Sequence, residues 1–261
     1  MNKICTVVSI SIALLLSFIL IGCGSKELEK RIASLEESNK ALQHELSRAH
    51  DVVEIQNLMG RYETIHNAQD INKSWELFAD MPDTYTQIAG GRKIEGYENV
   101  VKSWSSQKSG SNPGSPDEGT MLEHPLSSPI IVVAGDGQTA KATFVSLGHE
   151  THYNPQTGKY DPEWAYGKYA IDFIKQNGEW KIWHHRWFRF FRSSFYTAWS
   201  DQPLCNVYQC DENGNPIVNE GVYFKPYTAD SVVESIPAAP KPYDTWTEKE
   251  VDWMYRINEH P

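Results

Sequence analysis

Residues 164–191 read WAYGKYAIDFIKQNGEWKIWHHRWFRFF. Two runs rich in aromatic and β-branched residues flank Gln176-Asn177-Gly178, and Asn-Gly is the pair that a tight hairpin turn favours, because both central residues need positive φ. The spacing predicts one strand over Trp164–Ile174 and another from Trp180 to Phe191. Upstream, Pro129–Val133 and Thr139–Tyr153 read as two further strands. Before them, Thr84–Ile88 is strand-like and is followed by a Gly90-Gly91 turn, Lys93–Gly96 and a helix from Tyr97 to Ser106. Lys108 to Gly119, crowded with Ser, Gly and Pro, is a loop.

Helical periodicity dominates the first half. Ile55, Leu58, Met59, Tyr62 and Ile65 recur at steps of three and four, predicting a helix that runs to Asp70. A second helix is expected over Asn72–Ala79, with Asp70 as its N-cap. Helices first and long antiparallel strands later make an α+β domain, not alternating βαβ units. Neither a dinucleotide fingerprint nor a P-loop occurs. Ser200 to Pro261, with Pro237-Ala238-Ala239-Pro240-Lys241-Pro242 at its middle, reads as an irregular extension lying over the domain.

At the N-terminus, Lys3 precedes an apolar run from Ile4 to Ile21 and then Gly22-Cys23, the pattern of a secretory signal. Leu20-Ile21-Gly22-Cys23 resembles the lipobox of bacterial lipoproteins, which implies cleavage before Cys23 and lipidation of that cysteine. A transmembrane anchor is the competing reading, since about 18 apolar residues can just span a bilayer. The expected parts are a signal peptide over 1–22, a stalk over 23–50, a domain over 51–199 and an extension over 200–261. The expected location is the extracytoplasmic face of the cell membrane.

Lys26 to Val53 has no Gly or Pro, and its apolar residues alternate in steps of four and three. Ile32, Asn39, Leu46 and Val53 fall at one heptad core position, and Leu28, Leu35, Leu42 and Ala49 at the other. A buried Asn pairs best with its own copy, so Asn39 favours two parallel strands. A homodimer or trimer is therefore expected, against the alternative of a single amphipathic helix.

The formal charge of -10 and the lack of a Lys/Arg block argue against nucleic acid as a partner. Cys5 lies in the signal and Cys23 is the lipid site, which leaves Cys205 and Cys210 to close a small disulfide loop in an oxidising compartment. Two free thiols are the alternative.

The order of elements, with the Tyr62 helix early and Gly178-Glu179-Trp180-Lys181-Ile182 late, resembles the SnoaL-like branch of the NTF2-like superfamily. The resemblance spans roughly Asp51 to Phe195. It implies a cone, in which a curved, mostly antiparallel sheet and about three helices surround a pocket. Within the superfamily the chain is most similar to dehydratase-type members such as scytalone dehydratase and bile acid 7α-dehydratase. Tyr62 fits that enzyme's helical Tyr, and His124, five residues before Pro129, fits its catalytic His. Trp187-Phe188-Arg189-Phe190-Phe191 resembles a segment of its last strand. The departures are Asn67, which stands where an Asp is expected, and the Gly148-His149 region, where a second acidic position falls without a carboxylate.

Elimination of water beside a carbonyl needs a base for the carbon-bound proton and an acid for the departing hydroxide. His124 is the expected base or acid, with Tyr62 and His66, one helical turn apart, as its catalytic neighbours. Asn67, His149, Tyr169 and Trp187 are the expected substrate contacts. Each of these also has a plain structural reading as a core or solvated side chain. His149 and His152, three apart on a strand, point to opposite faces, and the adjacent His184 and His185 diverge likewise, so no metal site and no cofactor are expected. The aromatic density around Trp180–Phe195 suits a small hydrophobic ligand. Two functions compete: a cofactor-independent dehydratase or isomerase acting on a polycyclic or aromatic hydroxy-ketone, and a non-catalytic lipoprotein that binds a small ligand or a partner.

Overall fold

The computed structural model describes residues 2–67, 70–88, 91, 93–107, 118–206, 210–217 and 225–256, with side chains from residue 25 onward. The side chains of the expected signal peptide and of Cys23 lie outside the description, as do Gly90 and the stretch 108–117 of the expected loop. The chain divides into two units, Met1–His50 and Asp51–Pro261.

Helix α1 (Asn2–Asn67) runs through the first unit into the second. In the first unit Leu28, Ile32, Leu35, Leu42 and Leu46 are all exposed, at 47–71 % of their full accessible area. In the second, the helix turns Ile55, Leu58, Met59 and Tyr62 inward, each nearly inaccessible. These residues sit at i, i+3, i+4 and i+7, the stripe by which a helix covers a sheet.

Among the described residues the sheet has seven strands: β1 (Tyr85–Ile88), β2 (Ile94–Glu95), β3 (Met121–Glu123), β4 (Leu126–Val133), β5 (Thr139–Asn154), β6 (Lys159–Gln176) and β7 (Glu179–Ser194). The order is β2-β1-β7-β6-β5-β3, with β4 also paired to β5. Only β1 and β7 run parallel. Asn177 and Gly178 turn the β6–β7 hairpin with φ of 55° and 83°, which is why that sequence pair stands there. The register of β6 against β7 shifts at Tyr166/Gly167 and at Asp172/Phe173, and bulges of this kind bend a sheet toward closure. Helix α2 (Tyr97–Ser105) buries Val100 and Trp104. Near the hairpin turn, the buried Asp51 of α1 accepts hydrogen bonds from Trp180 Nε1 at 2.9 Å and Lys175 Nζ at 2.7 Å. The second unit is an α+β cone, in which helices pack on a curved, mostly antiparallel sheet.

Three local expectations need correction. Helix α1 is described as far as Asn67, and Asp70, the end expected for it, is not helical. The expected helix over Asn72–Ala79 is a single 3₁₀ stretch, Ile71–Leu77, whose Asp70 makes no side-chain cap bond. Phe78 follows in extended conformation and bridges to Ile182, so pairing with the sheet stops the helix. Strand β3 was not anticipated; three residues are too few to show a period.

Among its described residues the C-terminal extension forms short 3₁₀ turns, and it covers the outer face of the sheet. Ile236, Trp253 and Met254 pack on Ala170 and Phe188. Beside them Asp172 accepts hydrogen bonds from Trp253 Nε1 at 2.7 Å and His184 Nδ1 at 2.9 Å, and Lys141 pairs with Glu250. Cys205 and Cys210 are joined by a disulfide.

Candidate active site

The inner face of the cone encloses a cavity of about 230 Å³. Tyr62 and His66 reach it from α1, Trp104 from α2, His124 from the β3–β4 connection, and Glu150 and His152 from β5. Tyr169 enters from β6, and His185, Trp187, Arg189 and Arg192 from β7.

At its centre, His124 Nε2 stands 3.1 Å from Glu150 Oε1, with both side chains at most 5 % exposed. Asn67, expected to contact substrate, is not among the residues lining the cavity; its Oδ1 accepts the backbone N–H of His124 at 3.0 Å and fixes the segment that carries the imidazole. Gly148 lets the ring approach β5. A Cβ at that position would lie 2.5 Å from His124 Cε1 and 2.7 Å from Nδ1.

Glu150 is the carboxylate that the sequence reading did not find. On β5, residues two apart share a face, so Gly148, Glu150 and His152 point inward together. His149 was expected to touch substrate, but it faces the other way and packs on Trp164, with ring centroids 4.7 Å apart. Burial pushes the Glu150 carboxyl up, yet hydrogen bonds from His124 and His152 and the charges of Arg192 and Arg189 outweigh it. The net result holds the group well below the usual carboxylate range, and it is ionised. Its second oxygen receives Arg192 at 2.5 Å and lies 3.0 Å from His152 Nε2. Arg192 also reaches Glu163, the residue opposite Glu150 on β6, at 2.7 Å.

Glu150, His152 and Glu163 each place one ligand atom within 4.8 Å of the others, a spacing at which a metal ion could be held. The guanidinium of Arg192 already lies among them as the neutralising cation, and an ion would have to displace it.

The phenols of Tyr62 and Tyr169 are neighbours in the cavity wall, with ring centroids 6.2 Å apart, and burial keeps both well above their ordinary pKa, so they are neutral donors. Tyr169 stacks on Trp187, with centroids 5.8 Å apart and planes 14° from parallel. Burial, helped by the neighbouring imidazole of His124, lowers the His66 pKa to about 4, so this ring is neutral at pH 7. His185, bonded through Nδ1 to Thr86 Oγ1 at 3.0 Å, is lowered to about 3 by burial and then by His66. Glu63, beside Tyr62 on α1, is half-buried, and desolvation raises its pKa.

The arrangement can hold a ring against Tyr169 and Trp187, take a proton on His124, and stabilise the charged imidazole through Glu150. A family model described as a SnoaL-like domain matches residues 47–186. No curated protein sequence matches the chain. Among solved structures, the chain is similar to a candidate scytalone dehydratase from Novosphingobium aromaticivorans, at 15 % identity over 58 % of this chain and 92 % of that one, TM-score 0.45. It is also similar to a type 3 hexachlorocyclohexane dehydrochlorinase from Novosphingobium barchaimii, at 11 % identity over 61 % and 99 % of the two chains, TM-score 0.45. A nuclear transport factor 2-like superfamily protein from Salmonella enterica matches at 20 % identity over 54 % and 92 %, TM-score 0.41.

Proposed function

This chain belongs to the SnoaL-like domain family, and on that premise we propose that it is a cofactor-independent hydro-lyase or isomerase acting on a ring-bearing hydroxy-ketone. The observation that carries the reading is the shielded His124–Glu150 pair inside the cavity. An ionised Glu150 accepts the Nε2–H of His124 and leaves Nδ1 with the lone pair; Nδ1 is buried and has no hydrogen-bond partner among the described residues. Nδ1 takes the proton from the carbon beside the carbonyl, and Tyr169 O–H donates to the oxygen where negative charge develops. The carbon–oxygen bond to the hydroxyl then breaks, and the leaving group takes the proton back from His124 as water. Return of that proton to a different carbon would be the isomerase outcome.

We further assign the domain to the extracytoplasmic membrane surface, anchored through lipid on Cys23 and paired with a second copy through the heptads of residues 28–53. The lipobox-like Leu20–Cys23 and the exposed Leu28, Ile32, Leu35, Leu42 and Leu46 support this. Among the described residues no helix is long and apolar enough to cross a membrane; the apolar run Ile4–Ile21 lies outside that description.

The test is a screen of the full chain in detergent against aryl β-hydroxy ketones, read as growth of enone absorbance, with His124→Ala beside the wild type. Turnover by wild type alone is expected. Equal rates in both proteins would remove His124 from the chemistry, and tight binding without turnover would assign the cavity to ligand capture.

A further inference from the structure

Arg189 lies on β7 with its guanidinium 4.6 Å from the centre of the Trp187 ring, and it lines the cavity. The side chain is half-buried, and its Nε is shielded from solvent with no hydrogen-bond partner among the described residues. Arginine cannot shed its proton to escape such a site. A shielded cation without a hydrogen-bonded counter-charge is costly, so its neighbours normally supply one.

Here they do not. Both oxygens of Glu150 are committed to His124, His152 and Arg192, and Glu163 is committed to Arg192. Arg192 has two carboxylates and Arg189 has no hydrogen bond to either.

Resting on the reading of this cavity as a substrate site, we propose that its ligand is a ring-bearing carboxylic acid whose carboxylate pairs with Arg189. A carboxylate accepts two parallel N–H bonds from a guanidinium, which matches the donors left open. The stacked rings of Tyr169 and Trp187 offer a flat apolar wall beside that charge. The cavity volume of about 230 Å³ lies below the ~300–1,000 Å³ typical of ligand pockets, so the acid has one or two rings, not four. The substrate class of the proposed lyase thereby narrows to small cyclic or aromatic hydroxy-keto acids.

The experiment is titration of the full chain in detergent with 2-naphthoate, benzoate and the methyl ester of each, followed by tryptophan fluorescence, in wild type, Arg189→Gln and Arg189→Lys. Wild type should bind at least one acid about 10- to 100-fold more tightly than its ester, the range for hydrogen bonds to a charged group. Arg189→Gln should lose that preference with the ester unchanged, and Arg189→Lys should restore part of it. Should Arg189→Gln not fold, the wild-type preference must still shrink between about 50 mM and about 500 mM salt. Equal affinity for acid and ester, equal weakening of both by Arg189→Gln, or no binding of either acid to wild type would overturn the proposal. Turnover is scored separately: acid-selective binding without turnover removes only the lyase reading, and turnover without acid preference removes only this one.

Discussion

His124 and Glu150 meet 3.1 Å apart although strand β4 and most of β5 separate them in the chain, because β3 and β4 both pair with β5 and bring the His124 connection over Gly148. The carboxylate sets which nitrogen carries the proton and stabilises the imidazolium that forms when the other nitrogen takes one. Glu150→Gln keeps the size of the side chain and an acceptor oxygen but removes the charge. With general-base catalysis worth about 10²–10⁴ in rate, kcat should fall within that range while KM stays nearly constant. Steady-state kinetics on whichever hydroxy-ketone is turned over checks this, and an unchanged kcat would show that the pair is not the base.

Gly148→Ala addresses the same pair from below. The added methyl meets His124 Cε1 at 2.5 Å and the Ala165 carbonyl oxygen at 2.8 Å, so either the imidazole or the β5–β6 pairing must give. Overpacking of this kind costs about 1–3 kcal/mol. We expect a lower melting temperature, together with a fall in kcat at least as large as that of Glu150→Gln. Full activity at wild-type stability would mean that His124 has room to work elsewhere.

Acid should destabilise the domain through its buried imidazoles. His185, lowered from 6.5 to about 3, and His66, lowered to about 4, stay neutral in the fold, while their unfolded counterparts take up protons below about pH 6.5. The unfolded state then binds more protons, and stability falls as pH drops from about 6.5 toward 4. Glu150, held low in the fold, adds loss in the same sense below about pH 4.5. Asp172, pushed up by burial, works in the opposite sense, so the decisive comparison is a difference between variants. His185→Gln keeps a partner for Thr86 and removes one titration. Its urea midpoint should depend less on pH between 6.5 and 4, by up to about 1.4 kcal/mol per pH unit. Parallel slopes would show that His185 is not held neutral.

Much of this arrangement was legible in the sequence. Asn177-Gly178 placed the hairpin, and the three- and four-residue steps from Ile55 to Tyr62 placed the helix that covers the sheet. Tyr62, His66 and His124 do line one cavity. Glu150 escaped because His149-Glu150-Thr151-His152 was parsed by its histidines at a spacing of three. Taken by the period of two from Gly148, beneath His124, the same strand points Glu150 and His152 inward. Arg189 and Arg192 escaped for a different reason. Arg189 pairs with Gly167 and Phe191 with Tyr166, so Phe190 is an extra residue in β7. That bulge lets two arginines three apart reach the same cavity, and simple alternation along a strand does not foresee it.

Asn39 gives the stalk a test of its own. It is the one polar residue among the seam positions from Leu28 to Val53, and five of the seam's leucines and isoleucines stand exposed on the isolated helix. An apolar seam of that length is costly to leave in water, at roughly 25 cal/mol per Å². Two parallel helices would bury it and let the two Asn39 amides bond each other, which sets register and strand number at some cost in stability. Sedimentation of the full chain in detergent should give a dimer. Asn39→Ile should raise the melting temperature of the stalk and admit trimers. Leu35→Glu with Leu42→Glu should give a monomer whose Asp51–Pro261 unit melts as before. A wild-type monomer at about 100 µM, well above the micromolar Kd at which a stable pair forms, would show that the seam serves some other contact.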